Sequence, residues 1–275
     1  MNSSMNEKIV INLHLTDACD FNCLHCFAHF GAKRVLSVNE WKIIVDNTLE
    51  GRDVQRFNLA GGEPLLYRDI FELSTYIRSR GCEVSIITNG YNLSAEKIKQ
   101  LKECGISMIG LSIDSSNPQT LRQLGRNTAS GNILDPERCV NLCRCIRENG
   151  ISLKINTVVS SLNYTDDLNS FIREASPDRW KLLKIKKLEN NVYDNTALLI
   201  NDAQFDNFVN CHKNVPHIVE RSMANTYIMI DALGNLVDTG SDKNTPIANL
   251  LNTSFSEAFK QMNFDMKNYQ VRYAA

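Results

Sequence analysis

The strongest constraint on the fold is the regular alternation of short β-rich runs with amphipathic stretches from residue 8 onward. Gly, Asn and Asp turns separate the two kinds of segment, a pattern typical of repeated βα units with a parallel sheet. The predicted strands are 9–15, 56–60, 83–88, 108–113, 152–159 and 179–185, and the predicted helices are 37–50, 68–80, 94–104, 135–149, 165–175 and 202–213. These units predict an α/β fold, a partial (β/α)6 TIM-like barrel that is open on one side, with its chemistry at the carboxyl ends of the strands.

The C-terminal part of the sequence departs from this repeat. A hairpin is predicted for 227–231 and 235–238, and a closing helix for 253–262. No linker or low-complexity stretch divides the chain. We therefore expect a short N-terminal tail at 1–8, a barrel core at 9–213, and a C-terminal extension at 214–275 that closes the substrate site.

Charge and composition limit the classes of partner. The 275-residue chain has 30 Lys and Arg against 31 Asp and Glu, a formal net charge of −1, and 43% of its residues are hydrophobic. This balance is that of an ordinary globular protein without a basic nucleic-acid arm. The longest apolar runs are four residues, against the roughly 18 that span a bilayer, and residues 1–8 lack a secretory signal. We expect a cytoplasmic protein that binds neither nucleic acid nor membrane.

Three of the nine cysteines form a motif. Cys19, Cys23 and Cys26 are spaced C-x3-C-x2-C just after the first predicted strand, in a segment whose Asp, Asn and Gly residues favour irregular backbone. Three thiolates suit a [4Fe-4S] cluster that leaves one iron open to bind a substrate. A zinc site that adds His25 or His29 is the alternative.

A second group of cysteines has a structural interpretation. Cys139, Cys143 and Cys145 fall in a predicted helix that Asp135 caps and that Pro136 begins. Cys139 and Cys143 are i,i+4 neighbours on one face of that helix. We interpret these cysteines as small apolar core residues.

Four predicted strands carry polar residues two positions apart. Because side chains alternate along a strand, the two members of each pair share a face. The pairs are Asn12 with His14, Arg56 with Asn58, Lys154 with Asn156, and Arg179 with Lys181. If they face the barrel interior, four cations lie there and need anionic partners, which a polyphosphate supplies. Lys184, Lys186 and Lys187 are interpreted as a solvated edge.

Further polar groups follow the strands on the same rim. They are Gly61-Gly62-Glu63-Pro64 after the second strand, Thr88-Asn89-Gly90 after the third, and Ser112-Ile113-Asp114 at the end of the fourth. Two adjacent glycines allow the backbone to approach a ligand closely. The Gly61-Gly62-Glu63-Pro64 motif and the cysteine motif upstream of it together are a more specific signal than either motif alone.

Taken together, these motifs resemble those of radical S-adenosylmethionine enzymes over about residues 9–265. The resemblance implies that Cys19, Cys23 and Cys26 hold the cluster and that its open iron binds S-adenosylmethionine. It also implies cofactor-binding roles for Phe27, Gly61, Gly62, Glu63, Thr88, Asn89, Ser112 and Arg126. The position before the third cysteine is commonly aromatic in the family and is His25 here.

Within that superfamily the sequence is most similar to the viperin-like antiviral nucleotide-modifying enzymes. The similar segments include Asn12-Leu13-His14, Gly125-Arg126, Leu153 to Asn156 and Arg179-Trp180-Lys181. The resemblance implies that Arg56, Lys154, Arg179 and Lys181 hold the triphosphate of a ribonucleotide and that Asn12 and Asn156 orient its ribose. It implies that Tyr227 lines the site as a hydrogen or electron relay.

The same resemblance implies a reaction and partners. A deoxyadenosyl radical would abstract the 4′ hydrogen of CTP, UTP or GTP, and loss of water with one-electron reduction would give a 3′-deoxy-3′,4′-didehydro nucleotide that terminates viral RNA. We expect a flavodoxin or ferredoxin as electron donor, a monomer, and a role in phage defence. The alternatives are a radical enzyme acting on a peptide, for which the only cysteine after Cys145 is Cys211, and a zinc-stabilised nucleotide-binding protein.

Overall fold

The computed structural model describes residues 8–28, 31–32, 34–188, 194–242 and 244–274. Of these, residues 271–274 are described by their backbone alone. Its strands are β1 (Ile9–His14), β2 (Val54–Ala60), β3 (Glu83–Thr88), β4 (Ile106–Ser112), β5 (Ser152–Val159), β6 (Arg179–Lys184), β7 (Ile218–Glu220), β8 (Ile228–Ile230), β9 (Asn235–Asp238) and β10 (Thr245–Asn249). Its helices are α1 (Val38–Gly51), α2 (Ile70–Ser79), α3 (Ala95–Glu103), α4 (Pro118–Gln123), α5 (Pro136–Glu148), α6 (Asn169–Ala175), α7 (Asp202–Cys211), α8 (Phe255–Lys260) and α9 (Met266–Ala274).

The strands form one sheet in the order β10-β9-β8-β1-β2-β3-β4-β5-β6-β7. From β8 through β1 to β7 all neighbours pair in parallel, whereas β8, β9 and β10 form an antiparallel edge. The predicted α/β fold with a largely parallel sheet is confirmed, and it is consistent with a partial TIM-like barrel. The C-terminal extension adds strands to both edges of that sheet.

Strand β1 shows how the sheet divides core from cavity. Ile9, Ile11 and Leu13 are fully buried in the main hydrophobic core, which also contains Trp41 of α1. The alternate residues of β1 face the interior cavity described below. A strand buried on both faces is typical of a parallel sheet whose outer face is covered by helices.

Local sequence signals explain why the helices begin where they do. Ser37 and Glu40 form a capping box at the start of α1, in which the Ser37 hydroxyl accepts from the Glu40 N–H at 3.3 Å. The Asp135 carboxylate accepts the N–H groups of Glu137 and Arg138 at 2.9 and 3.2 Å, which caps α5 as predicted. The three cysteines of α5 are buried or half-buried and free, which confirms their structural interpretation.

Several short elements escape prediction. Helices α4 and α9 and strands β7 and β10 lie outside the predicted segments, and each is too short or too polar to give a periodic signal. Helix α6 begins at Asn169 rather than at 165 because residues 161–165 form turns. Within the described residues, no helix combines the length and apolar character needed to cross a bilayer.

The C-terminal tail packs against the amino-terminal half of β1. The Tyr269 hydroxyl accepts the Val10 N–H at 2.6 Å, and the Tyr269 side chain is buried. Helix α9 is thereby held close to the amino-terminal end of β1.

Candidate functional site

The cysteine motif lies in the loop that follows β1. Backbone bonds tie this loop to the segment after β2: the Gly62 N–H donates to the Thr16 carbonyl at 2.6 Å, and the Glu63 N–H to the Ala18 carbonyl at 2.8 Å. A Cβ atom at Gly61 would stand 2.6 Å from the Thr16 oxygen, and one at Gly62 would overlap the Ala18 oxygen. The close approach that requires these glycines is therefore an approach to the cysteine loop itself.

Glu63 connects the glycine motif to the end of β3. Its buried carboxylate accepts the Leu65 N–H at 3.0 Å, the Thr88 hydroxyl at 2.8 Å and the Asn89 N–H at 2.9 Å. Burial raises the pKa of Glu63 to about 7 even though these donors favour its anion. The Asn89 amide in turn donates to Asp20 at 2.6 Å, so the loops after β1, β2 and β3 form one hydrogen-bonded unit.

Arg126 joins this unit to β4. Its guanidinium lies 3.3 Å from Asp114 and 3.5 Å from the Cys23 sulfur, and it also donates to the Ser112 carbonyl. The same Asp114 oxygen lies 3.2 Å from His25 Nε2. Burial opposes ionisation of Asp114, but Arg126 and His25 hold its pKa below the usual range. His25 Nδ1 is buried without a hydrogen-bond partner among the described residues, and His25 lines the interior cavity.

The interior of the barrel is an open cavity. Its empty volume, including solvent at the mouth, is about 1350 Å³. All eight residues of the four polar strand pairs line it, as alternation predicts; they are Asn12, His14, Arg56, Asn58, Lys154, Asn156, Arg179 and Lys181. Tyr227, Phe27 and Ser112 line the same cavity.

A chain of side-chain hydrogen bonds connects four neighbouring strands, β8, β1, β2 and β3, on the cavity wall. The Asn12 amide donates to the Ile228 carbonyl at 3.1 Å, the Asn58 amide donates to Asn12 at 2.8 Å, and the Ser85 hydroxyl donates to Asn58 at 2.9 Å. This chain fixes the orientation of both asparagines. Burial also lowers the pKa of His14 to about 4, so its imidazole is neutral at pH 7.

The cationic residues of the cavity differ in how they are paired. Arg56 lies 3.5 Å from Glu83, and Lys181 forms an ion pair with Glu220. No described residue forms a hydrogen bond or ion pair with the Lys154 ammonium. Burial, with the neighbouring charge of Lys181, lowers the pKa of Lys154 to about 7. An anion bound beside Lys154 would therefore favour the protonated, charged form of this lysine.

One sequence interpretation at this wall is wrong. Lys184, the last residue of β6, and Lys186 just after it line the cavity instead of forming a solvated edge. The Lys186 ammonium donates to the Thr239 carbonyl at 3.0 Å, and Lys184 lies 2.9 Å from Asp202. Lys187 is exposed, as expected.

Comparison with known proteins identifies the family of this chain. Residues 13–175 match the family model described as the radical SAM superfamily. The chain belongs to this superfamily. It is 35% identical over 269 residues to the S-adenosylmethionine-dependent nucleotide dehydratase of Selenomonas ruminantium, covering 96% of this chain and 98% of that protein. The protein of the same name from Psychrobacter lutiphocae is 30% identical, with 99% and 97% covered. The chain is therefore a viperin-like member of this dehydratase family.

Solved structures agree on the fold of this radical SAM protein. The crystal structure of Streptococcus suis SuiB bound to S-adenosylmethionine superposes with a TM-score of 0.70 at 16% sequence identity, covering 96% of this chain and 67% of that one. At this identity the comparison supports the shared architecture only.

The cysteine loop of the radical SAM protein fits a cluster better than a single ion. Within the described chain, no three His, Cys, Asp or Glu side chains surround a point that one metal ion could occupy, and His25 Nε2 lies 3.2 Å from Asp114. His29, the other proposed ligand, lies outside the described residues. In a [4Fe-4S] cluster each thiolate binds a different iron, so the three sulfurs need not converge on one point.

Hydrogen-bond donors around the sulfurs support the same fit. The Phe21 N–H approaches the Cys19 sulfur at 3.4 Å, and Arg126 approaches the Cys23 sulfur at 3.5 Å. Burial raises the pKa of the Cys19 and Cys26 thiols to about 12. Because metal ligands are thiolates, cluster binding releases these protons, and the donors stabilise the resulting anions.

The residues that the sequence assigns to cofactor binding divide into two groups. Phe27 and Ser112 line the main cavity, and Asn89, Ser112 and Arg126 line a smaller pocket that adjoins it. Gly61, Gly62, Glu63 and Thr88 line neither pocket and hold the cysteine loop in place. Glu220, which pairs with Lys181, was missed because β7 is only three residues long.

Proposed function

We propose that this protein is a radical SAM nucleotide dehydratase that converts a ribonucleoside triphosphate to its 3′-deoxy-3′,4′-didehydro analogue. The observation that carries the proposal is the joint position of four cationic strand residues and two residues of the cysteine loop, His25 and Phe27, on the wall of one cavity. The same cavity thus reaches from the cysteine loop to the cationic strand residues. The names of the full-length relatives support the same reaction class.

In this proposal Cys19, Cys23 and Cys26 hold a [4Fe-4S] cluster. When bound, the cluster and S-adenosylmethionine supply a 5′-deoxyadenosyl radical that removes the 4′ hydrogen of the nucleotide. The chain supplies the placement. Glu63 and Arg126 would hold the loops that carry the cluster ligands, and Phe27 and Ser112 form part of the cavity wall, so that the reacting carbon would be positioned against the cofactor.

The nucleotide end of the cavity is assigned by charge. Arg56, Lys154, Arg179 and Lys181 bind the triphosphate, because cationic donors form short, strong hydrogen bonds to phosphate oxygens. Asn156 lines the same wall, and the Asn12–Asn58 chain holds Asn12 there, so both asparagines are assigned to the ribose.

Tyr227 is assigned to the reacting end as a hydrogen or electron relay. Its hydroxyl lies 3.3 Å from the Lys181 ammonium, and Tyr227 lines the same cavity.

The product of this reaction lacks the 3′ hydroxyl that an RNA polymerase extends, so we propose a role in defence against phage. The proposal also includes CTP, UTP or GTP as substrate, an electron donor of the flavodoxin or ferredoxin type, a monomeric enzyme and a cytoplasmic location. A plaque assay with cells expressing the wild-type protein or the Cys23→Ala variant tests the defence role. Protection by both variants alike would refute an enzymatic basis for it.

Anaerobic turnover tests the reaction itself. The reconstituted protein is given S-adenosylmethionine and reductant with CTP, UTP, GTP or ATP in separate reactions, and 5′-deoxyadenosine and nucleotide mass are followed. We expect one triphosphate to stimulate deoxyadenosine formation and to lose the mass of water. Slow formation that is indifferent to all four nucleotides would refute the substrate assignment and favour a peptide or another small molecule.

A further inference from the structure

Glu220 is a buried acid beside the cationic wall, and the reaction outlined above gives it no role. It is the last residue of β7, the strand that pairs in parallel with β6, and only 8% of its surface is exposed. Ile218, two residues earlier on the same strand face, lines the cavity. The Glu220 carboxylate is therefore directed toward the cavity wall.

Its contacts form a closed triangle with two residues of the proposed nucleotide site. Glu220 Oε2 forms an ion pair with the Lys181 ammonium and lies 3.3 Å from the Tyr227 hydroxyl. The Lys181 ammonium lies 3.3 Å from the same hydroxyl and 5.6 Å from the centre of the Tyr227 ring. The hydroxyl accepts from Lys181 and donates its one proton to Glu220. Glu220 thus fixes the direction of the phenol O–H bond.

The cations near this triangle make the negative charge of Glu220 important for the protonation of two lysines, Lys154 and Lys181. Lys154 on β5, Arg179 and Lys181 on β6, and Arg56 on β2 line the same cavity, and like charges held this close favour loss of a proton from lysine. Glu220 opposes that loss, since its charge raises the pKa of Lys154 against the effect of the neighbouring cations. Arginine keeps its proton in any case, so the two lysines are the groups that depend on Glu220.

We propose that Glu220 is a positioning residue of the nucleotide site, which keeps the Lys181 and Lys154 ammonium groups charged for the triphosphate and orients the Tyr227 hydroxyl. Glu220 is not among the residues that line the cavity, so it acts through Lys181, Lys154 and Tyr227. The inference rests on the proposed function, because it assumes a triphosphate on the cationic wall.

The test is the pH dependence of nucleotide binding. The anaerobically reconstituted protein and its Glu220→Gln variant are titrated calorimetrically with CTP, UTP and GTP between pH 5 and 9. We expect similar dissociation constants at pH 5, within about threefold, because the lysines are then protonated in both proteins. As the pH rises, the affinity of Glu220→Gln should decline about one pH unit earlier, which makes its binding roughly tenfold weaker at pH 8.

Two further variants separate positioning from a structural role. Glu83→Gln removes the acid beside Arg56, whose guanidinium stays charged regardless, so its pH profile should match that of the wild type. The Glu220→Gln/Lys181→Arg double variant replaces one of the two dependent lysines by a permanent cation, and we expect it to recover part of the binding at pH 8. A profile of Glu220→Gln that is parallel to the wild type at every pH would overturn the proposal.

Glu220→Asp tests the second half of the inference and stands alone if Glu220→Gln does not fold. The shorter carboxylate keeps the charge but withdraws from Tyr227. We expect an unchanged pH profile together with more 5′-deoxyadenosine formed per dehydrated nucleotide. The same ratio of 5′-deoxyadenosine to dehydrated nucleotide as in the wild type would refute the orienting role. If the wild-type protein binds none of the three nucleotides, the proposed function fails instead.

Discussion

Replacing Lys154 by Met should stabilise the protein and disable it. The ordinary pKa of lysine, 10.5, is lowered to about 7 at this position, and one pKa unit corresponds to about 1.4 kcal/mol. The buried lysine therefore costs at most roughly 4 kcal/mol of folding free energy at pH 7. Because the cavity is open to water, the actual cost should be about half of this maximum. We therefore expect Lys154→Met to raise the free energy of unfolding by about 2 kcal/mol and the melting temperature by roughly 5 °C.

The sign of this effect depends on pH in a defined way. Below pH 7 lysine is charged in both the folded and the unfolded protein, and the full cost is present. Between about pH 7 and 10.5 the unfolded chain binds more protons than the folded one, so wild-type stability rises with pH and the advantage of the variant shrinks. Urea denaturation at pH 6.5 and pH 10 measures both limits.

Nucleotide binding should change in the opposite direction. Lys154→Met removes one of four cations from the cavity wall, and we expect triphosphate to bind at least about tenfold more weakly. Lys99→Met, at an exposed position of α3, serves as the control and should change neither property. A Lys154→Met protein that is less stable than the wild type, or that binds nucleotide equally well, would refute the reasoning.

Other predictions concern the cluster loop and Tyr227. Cys23→Ala should lose bound iron and its visible absorbance, whereas Cys143→Ala, in the core of α5, should keep both; iron loss in the second variant would contradict its structural assignment. Gly62→Ala should lower iron content and cost about 2 kcal/mol, because the new methyl overlaps the Ala18 carbonyl; a fully loaded variant would show that the loop tolerates displacement. Tyr227→Phe should bind nucleotide with an affinity within about threefold of the wild type but form less dehydrated product per 5′-deoxyadenosine. An unchanged ratio of dehydrated product to 5′-deoxyadenosine would refute the relay role.

Regular alternation made much of the site predictable from sequence. A polar residue at every second position of a long buried strand, as at Lys154 and Asn156 in β5, has few structural explanations other than an interior cavity. Helix boundaries with strong caps, such as Asp135 before α5, were predicted for the same reason: one local signal determines them.

The parts that were missed or misread depend on contacts between distant segments. Glu220 lies in a three-residue strand, and only the pairing of β7 with β6 brings it to Lys181. Lys186 follows the end of β6, where alternation no longer applies, and its turn toward Thr239 is a tertiary contact. The sequence marks Gly61 and Gly62 as positions of close backbone approach, yet the partner that requires them, the cysteine loop, is apparent only in three dimensions.

The central claim is that the cavity holds a ribonucleoside triphosphate with its 4′ carbon against the cofactor. Turnover of the preferred triphosphate deuterated at the 4′ position, followed by mass analysis of 5′-deoxyadenosine, tests this placement most directly. The account predicts one deuterium in the deoxyadenosine and loss of water from the nucleotide. Deoxyadenosine without deuterium, formed while the nucleotide keeps its label and its mass, would contradict it.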